Sequence, residues 1–307
     1  MGIPISDLIQ HLINGLTLGG IYALIALGYT MVYGILKFIN FAHGEVLMMG
    51  TYVGLFAFSG LRGEAGTGMW VLVSFFVGIL AAMAASGTLG FVVEKIAYKP
   101  LRRSKRLTLL LSAIGMSIVL MNVAAFIYGT RSKRYPYPFD NSPIALGPTS
   151  ITPHQILILV VVVVMMVALK LFIDRSRLGK AMRATSLDQD VARLMGINVD
   201  TIISLTFIIG SSLAAVAGVL MALDFKVYPT MGTMAGLKAF VAAVVGGIGN
   251  ITGAMVGGII LGIAETFGVA FLGIPVGLRD TIAFSILIII LLVRPEGIMG
   301  RVEREKV

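Results

Sequence analysis

The densest group of reactive side chains in the sequence is Ile39-Asn-Phe-Ala-His-Gly-Glu45, which sets an amide, an imidazole and a carboxylate at Asn40, His43 and Glu45. A His and a Glu this close can relay a proton or hold a polar solute, but covalent catalysis needs a nucleophile beside them and none is there. Asn14, Lys37, Asn122, Asp224, Lys226, Lys238, Asn250, Glu265 and Asp280 are further polar residues in or near apolar segments. They form neither an H-E-x-x-H metal motif nor a G-x-S-x-G elbow. The absence of cysteine excludes disulfides and thiolate chemistry, and His11, His43 and His154 are too scattered to suggest a metal site. No G-x-x-x-x-G-K-[ST] loop occurs, so the chain has no means of hydrolysing nucleotide by itself. The sequence therefore implies a non-catalytic protein with no cofactor of its own.

The 307 residues are 57% hydrophobic and only 13% charged, with a mean hydropathy of +0.96. A soluble surface needs roughly a quarter charged residues, so most of this exterior must face lipid. The apolar runs are long and lack the alternation of a transmembrane barrel. An all-α polytopic transmembrane bundle follows, with about eight to nine crossings at about 20 residues each, forming one domain over 1–307. The net charge of +9 does not indicate nucleic acid, because the basic residues crowd into short stretches between spans. The first apolar run lacks a basic leader and a small-residue cleavage site, and is expected to be a retained span.

The spans are expected near 8–33, 70–94, 108–128, 155–172, 198–223 and 280–293, together with two interrupted elements. A basic run over Lys99, Arg102, Arg103, Lys105 and Arg106 marks the cytoplasmic side, as do Arg294, Arg301, Arg304 and Lys306 at the end of the chain. The loop 129–153 then falls outside by alternation, although Arg131, Lys133 and Arg134 oppose that placement. The glycine-rich segment 62–68 is expected to be a short connection.

The first interrupted element covers 34–54. Its polar residues Asn40, His43 and Glu45 require a protein or water environment at membrane depth, so a broken element lining a substrate passage is expected; the alternative is an interfacial loop with Lys37 and Glu45 in water. The second covers 232–257, where Gly246, Gly247 and Gly249 precede Asn250 and favour two half-elements over one long span. The two stretches together hint at an internal repeat. Between the crossings, residues 174–196 form the longest polar helical pattern. Leu178, Met182, Leu187, Val191 and Met195 recur on one stripe, which suits a partner-docking surface better than a membrane-resting helix.

Several segments carry a family likeness: Asn14-Gly-Leu-Thr-Leu-Gly19, Tyr22-Ala-Leu-Ile-Ala-Leu-Gly-Tyr-Thr-Met-Val-Tyr-Gly34, Ile39 to Glu45, Ser112-Ala-Ile-Gly-Met-Ser117, Leu205-Thr-Phe-Ile-Ile-Gly210, Gly257 to Glu265 and Arg294-Pro-Glu-Gly297. They spread over about four fifths of the chain, and together they resemble the branched-chain amino acid ABC transporter permeases. The resemblance implies an inner-membrane importer subunit that works with a homologous second permease, two cytoplasmic ATPase subunits carrying ATP and Mg, and a periplasmic solute-binding protein. It implies leucine, isoleucine and valine as small amino-acid substrates. It also implies that Gly179, Arg183, Ala184, Leu187 and Gly196 belong to a loop that docks on the ATPase. Permeases for urea or short-chain amides share these features and remain an alternative, with an ion-coupled secondary carrier behind them.

Overall fold

The computed structural model describes residues 5–62, 68–102 and 104–300. Expectations for Arg103, Arg301, Arg304, Lys306 and most of the 62–68 connection lie outside the described residues. Eleven helices follow in order: α1 (Ile5–Leu36), α2 (His43–Arg62), α3 (Met69–Val93), α4 (Arg106–Tyr128), α5 (Pro153–Arg175), α6 (Arg177–Leu187), α7 (Gln189–Leu194), α8 (Val199–Asp224), α9 (Met231–Gly246), α10 (Ile251–Phe271) and α11 (Arg279–Val293). A π turn over Glu94–Tyr98 prolongs α3, and a two-stranded hairpin, β1 (Ile144–Leu146) with β2 (Thr149–Ile151), sits in the loop before α5. Eight of the helices are long and apolar enough to cross a membrane, and α9, at 16 residues, is a shorter apolar helix.

Side-chain links sort the connections into two ends. At one, the Ser150 amide donates to Gln10 (2.9 Å), Lys133 bridges Val227, and His154 meets Asp224 at 2.7 Å. At the other, Gln189 donates to the Ile35 carbonyl, Arg102 pairs with Asp200, and Asn250 donates to the Met299 carbonyl, each at 2.8 Å. The second end gathers Lys99, Arg102, Lys105, Arg106, Arg175, Arg177, Lys180, Arg183, Arg193 and Arg294, so the positive-inside rule makes it cytoplasmic. With that orientation α1, α3, α5, α9 and α11 run inward and α2, α4, α8 and α10 run outward. The short α9 carries the chain from the first end back to the second.

The helix contacts fall into two sets that run in opposite directions. Helix α1 lies mainly against α10, as α8 lies against α3; α2 contacts α3 and α8 as α9 contacts α10 and α1. Without an aqueous driving force between helices, close backbone approach supplies the cohesion. On α1, Gly15 and Gly19 abut the backbone at Ile263 and Ile259 of α10, and Gly87 and Gly90 of α3 abut Ser212 and Ser211 of α8. Gly28 faces Gly210 where α1 crosses α8. Helix α1 is accordingly almost wholly enclosed, whereas α4, α5 and α11 expose rows of large apolar side chains such as Ile118, Val163 and Leu292.

Candidate functional site

The first interruption is built from a few local devices. Helix α1 stops at Lys37, which takes a left-handed conformation at φ 53° and is exposed. Asn40 accepts hydrogen bonds from the Ala42 amide (3.1 Å) and the Tyr98 hydroxyl (2.6 Å), and its own carbonyl accepts from the His43 amide (3.1 Å). Asn40 thus ties the break to the cytoplasmic end of α3. His43, 1% exposed, packs edge-on against Tyr29 with ring centroids 4.7 Å apart, and its imidazole fills the space that Gly28 leaves.

Glu45 points elsewhere. It is fully buried, against the alternative that set it in water. Its Oε1 accepts from the Thr233 hydroxyl at 2.6 Å and from Ser117 at 3.5 Å, while Oε2 has no hydrogen-bond partner among the described residues. Ser117 stands midway along α4, which puts the carboxylate near the middle of the bundle. Here the first turns of α2 and α9 meet, because Gly44 and Gly232 bring the two backbones into contact. A cavity of about 270 Å³ opens beside them, lined by Tyr29, Phe41, Ile114, Ser117, Thr233 and Leu237. The three expected residues therefore share a break but not a site, since Asn40 faces α3, His43 faces α1 and α8, and only Glu45 backs the cavity.

Two other glutamates are fully buried, and both are neutralised within the chain. Glu94 pairs with Arg102 and accepts from Ser204 at 2.8 Å, and Arg102 also reaches Asp200, which Lys99 meets at 2.8 Å. Glu265 pairs with Lys238 and Arg279, each at 3.0 Å, and accepts from Tyr22 at 3.0 Å; Lys238 also meets Asp280 at 2.7 Å. Each group sums to zero with two acids and two bases, one near the cytoplasmic end and one in the outer half, on helices that correspond between the halves. Their residue types were visible in the sequence. Their partnership was not, because Tyr22 and Glu265 stand 243 positions apart.

Gly246, Gly247 and Gly249 lie at the cytoplasmic end of α9, roughly 22 Å of helix from Thr233's turn at 1.5 Å per residue. They close a different junction: Gly246 abuts Gly253 of α10, and Gly247 (φ 106°) lets the chain pass against Glu296 and Gly300. The expected division of 232–257 into two helices is present, with Asn250 capping α10 through the Gly253 amide at 3.1 Å.

Residues 174–196 form two helices, α6 and α7, joined at Asp188, which caps α7 through the amides of Asp190 and Val191. Gly196, at φ 80°, ends the pair. Within it, Gly179 and Arg183 turn toward the protein's own chain: Gly179 touches the backbone of Ile173, and the Arg183 guanidinium donates to the Ile173 carbonyl. Ala184 is half-buried and Met182 buried, whereas Leu187 (88%), Leu194 (87%) and Met195 (77%) are the most exposed apolar side chains of the element. Leu194 lies off the sequence stripe through Val191, yet it is the more exposed of the two.

Residues 11–291 match the family model described as the permease component of the branched-chain amino acid transport system. The chain is 48% identical over 305 residues to the Escherichia coli K12 "high-affinity branched-chain amino acid transport system permease protein LivH", covering 97% of each chain. It is 47% identical over 310 residues to the corresponding BraD protein of Pseudomonas aeruginosa PAO1, covering 97% of this chain and 98% of that one. A more distant relative, the "probable" LivH protein of Methanocaldococcus jannaschii, is 26% identical over 301 residues. An enclosed helical bundle with an interrupted pair of helices at its centre, matched along nearly its whole length, belongs to the branched-chain amino acid transport permease family, and the chain is a multi-pass, non-catalytic membrane permease subunit.

Proposed function

We propose that this chain forms one half of an inner-membrane passage for leucine, isoleucine and valine, opening and closing through the interruption at 37–45. The observation that carries this reading is the meeting of the α2 and α9 first turns beside a cavity at mid-bundle, in a chain with full-length similarity to permeases of that transport system. Discontinuous helices at the bilayer midplane are where transporters expose backbone and polar groups to solute. Such a passage needs a second wall, which a homologous second permease would supply. A periplasmic binding protein would deliver the solute, and two cytoplasmic ATPase subunits would supply the energy.

Residues 174–196 would receive the ATPase stroke. Leu187, Leu194 and Met195 offer apolar surface to a groove, while Gly179 and Arg183 fasten α6 to α5 so that a push on the pair moves the bundle. A cavity of about 510 Å³ between α6, the end of α5 and the inner ends of α1, α8 and α10 gives α6 room to move. The test is uptake by proteoliposomes holding the complete assembly. ATP-dependent accumulation of leucine, isoleucine and valine is expected; accumulation of urea or acetamide in their place would overturn the substrate assignment.

A further inference from the structure

Among the described residues three glutamates are fully buried, and they differ in one respect. Glu94 and Glu265 each have a cation built against them by the protein. Among the described residues Glu45 has no Lys, Arg or His within ion-pair distance, its Oε2 accepts no hydrogen bond, and it stands behind the hydroxyls of Ser117 and Thr233 in a cavity wall. A buried carboxylate without a counter-charge is costly, and a fold that supplies cations to two such groups and withholds one from the third leaves a place for a cation from outside.

The remaining walls specify what that cation is attached to. Phe41, Ile114, Ile118, Met121 and Leu237 line the cavity with apolar surface, and apart from Ser117 and Thr233 its only hydroxyl belongs to Tyr29. An apolar pocket with a carboxylate directly behind two of its hydroxyls fits a primary ammonium carried on a short branched aliphatic chain. The cavity lies where the two halves of the fold meet, and α4 on its rim is otherwise exposed. The position on α9 that faces Glu45 is Thr233, so the anionic group belongs to one half only and the subsite has a polarity.

We propose that Glu45, held by Thr233 and Ser117, is the ammonium subsite for the amino-acid substrate as it passes the middle of the bundle. This rests on the reading of the chain as an amino-acid permease, and it assigns within that reading which end of the zwitterion this subunit holds. Glu45 binds and does not exchange a bond, so the α-ammonium keeps its protons throughout.

The absence of cysteine provides the test. An I118C variant, assembled with its second permease and ATPase subunits in proteoliposomes, carries a single thiol of this chain on the cavity wall; the partner subunits are prepared without cysteine. The rate of its reaction with a small maleimide is measured with leucine, with 3-methylbutylamine (the ammonium and no carboxylate) and with 4-methylpentanoate (the carboxylate and no ammonium). Leucine and the amine are expected to slow labelling, and the acid to leave it unchanged. In E45Q the concentration of amine needed for protection should rise about tenfold, the loss of one charge-assisted hydrogen bond. T233V, which leaves the carboxylate in place but removes the shorter of the two hydrogen bonds to its Oε1, should raise it by a smaller factor and serves if E45Q does not assemble.

Protection by 4-methylpentanoate equal to that by the amine, or protection unchanged in E45Q and T233V, would overturn the assignment. Absence of protection in a complex that still accumulates leucine would also overturn it while leaving the permease reading intact. Failure of the I118C complex to accumulate leucine when the unsubstituted complex does would be met by repeating the measurement at M121C, on the next turn of the same wall.

Discussion

Gly44 and Gly232 occupy each other's side-chain space: a Cβ on Gly44 would strike the Gly232 carbonyl, and one on Gly232 would strike the Gly44 carbonyl. The contact is reciprocal because the two residues hold equivalent positions in the first turns of α2 and α9. It brings two helix N-termini, each with backbone amides lacking intrahelical partners, to one point inside the bundle. Glu45 lies in the first turn of α2, where a negative charge also favours the helix dipole.

That contact makes the pair intolerant of any side chain. Gly44→Ala or Gly232→Ala should each destabilise the subunit by about 1 to 3 kcal/mol, the range for overpacking where backbone must move. Gly60→Ala, with nothing near its Cβ position, is the control expected to be silent. Thermal unfolding of the purified complex, followed by fluorescence size exclusion, reads the difference. Equal stability of G44A and G60A would show that the helices separate without cost.

The outer charge group predicts a non-additive pair. Lys238→Met leaves Glu265 and Asp280 facing Arg279 alone, and removing one partner of a buried pair costs about 3 to 5 kcal/mol. The double variant K238M/E265Q keeps Arg279 and Asp280 in balance and should recover more than half of that loss. Yield of monodisperse protein and melting temperature together form the double-mutant cycle. Additive losses would mean that the four groups do not act as a unit.

For the passage, Glu45→Gln preserves shape and hydrogen bonding to Thr233 while Glu45→Leu abolishes both. Uptake of labelled leucine should fall in E45Q and fall further in E45L, with both proteins inserted at normal levels. Normal uptake in both would remove Glu45 from the passage. A defect of assembly confined to E45L would move its role to structural support.

On the cytoplasmic side, the exposed pair Leu187 and Leu194 is a better probe of docking than Ala184, which is already half-buried against its own chain. L187D/L194D should break co-purification with the ATPase subunits and abolish leucine-stimulated ATP hydrolysis, while the permease itself folds. Ala184→Trp is expected to do the same with some added loss of stability. An intact, coupled complex in L187D/L194D would place the ATPase contact elsewhere.

Orientation can be checked with single cysteines. Ser104→Cys, beside Arg102 and Lys105, should resist an impermeant maleimide in intact spheroplasts and react after lysis. Ser142→Cys, on the exposed loop before β1, should react in the intact cells. The opposite result would reverse every assignment of inside and outside.

The class of this protein follows from composition, because too few charges to clothe a soluble surface leave lipid as the solvent whatever the detailed fold. Span positions and the existence of two interruptions were also legible, since hydropathy and glycine with polar clusters act locally along the chain. The cap of α8 is equally local, the Asn198 side chain accepting from the Thr201 amide three residues on. What the polar residues do was decided by distance in space. Glu45, Glu94 and Glu265 look alike in sequence, and only the placing of Arg102 from the segment between α3 and α4, of Lys238 from α9 and of Arg279 from α11 separates two neutralised carboxylates from one that is not. The same holds for residues 174–196: a period of three to four identifies a stripe, but packing of α6 on α5 buries Gly179 and Met182, ties Arg183 to the Ile173 carbonyl and leaves Leu187 and Leu194 outward. Local pattern sets where a helix runs and which side faces lipid; contacts between groups on different helices set which of its polar atoms still lack a partner.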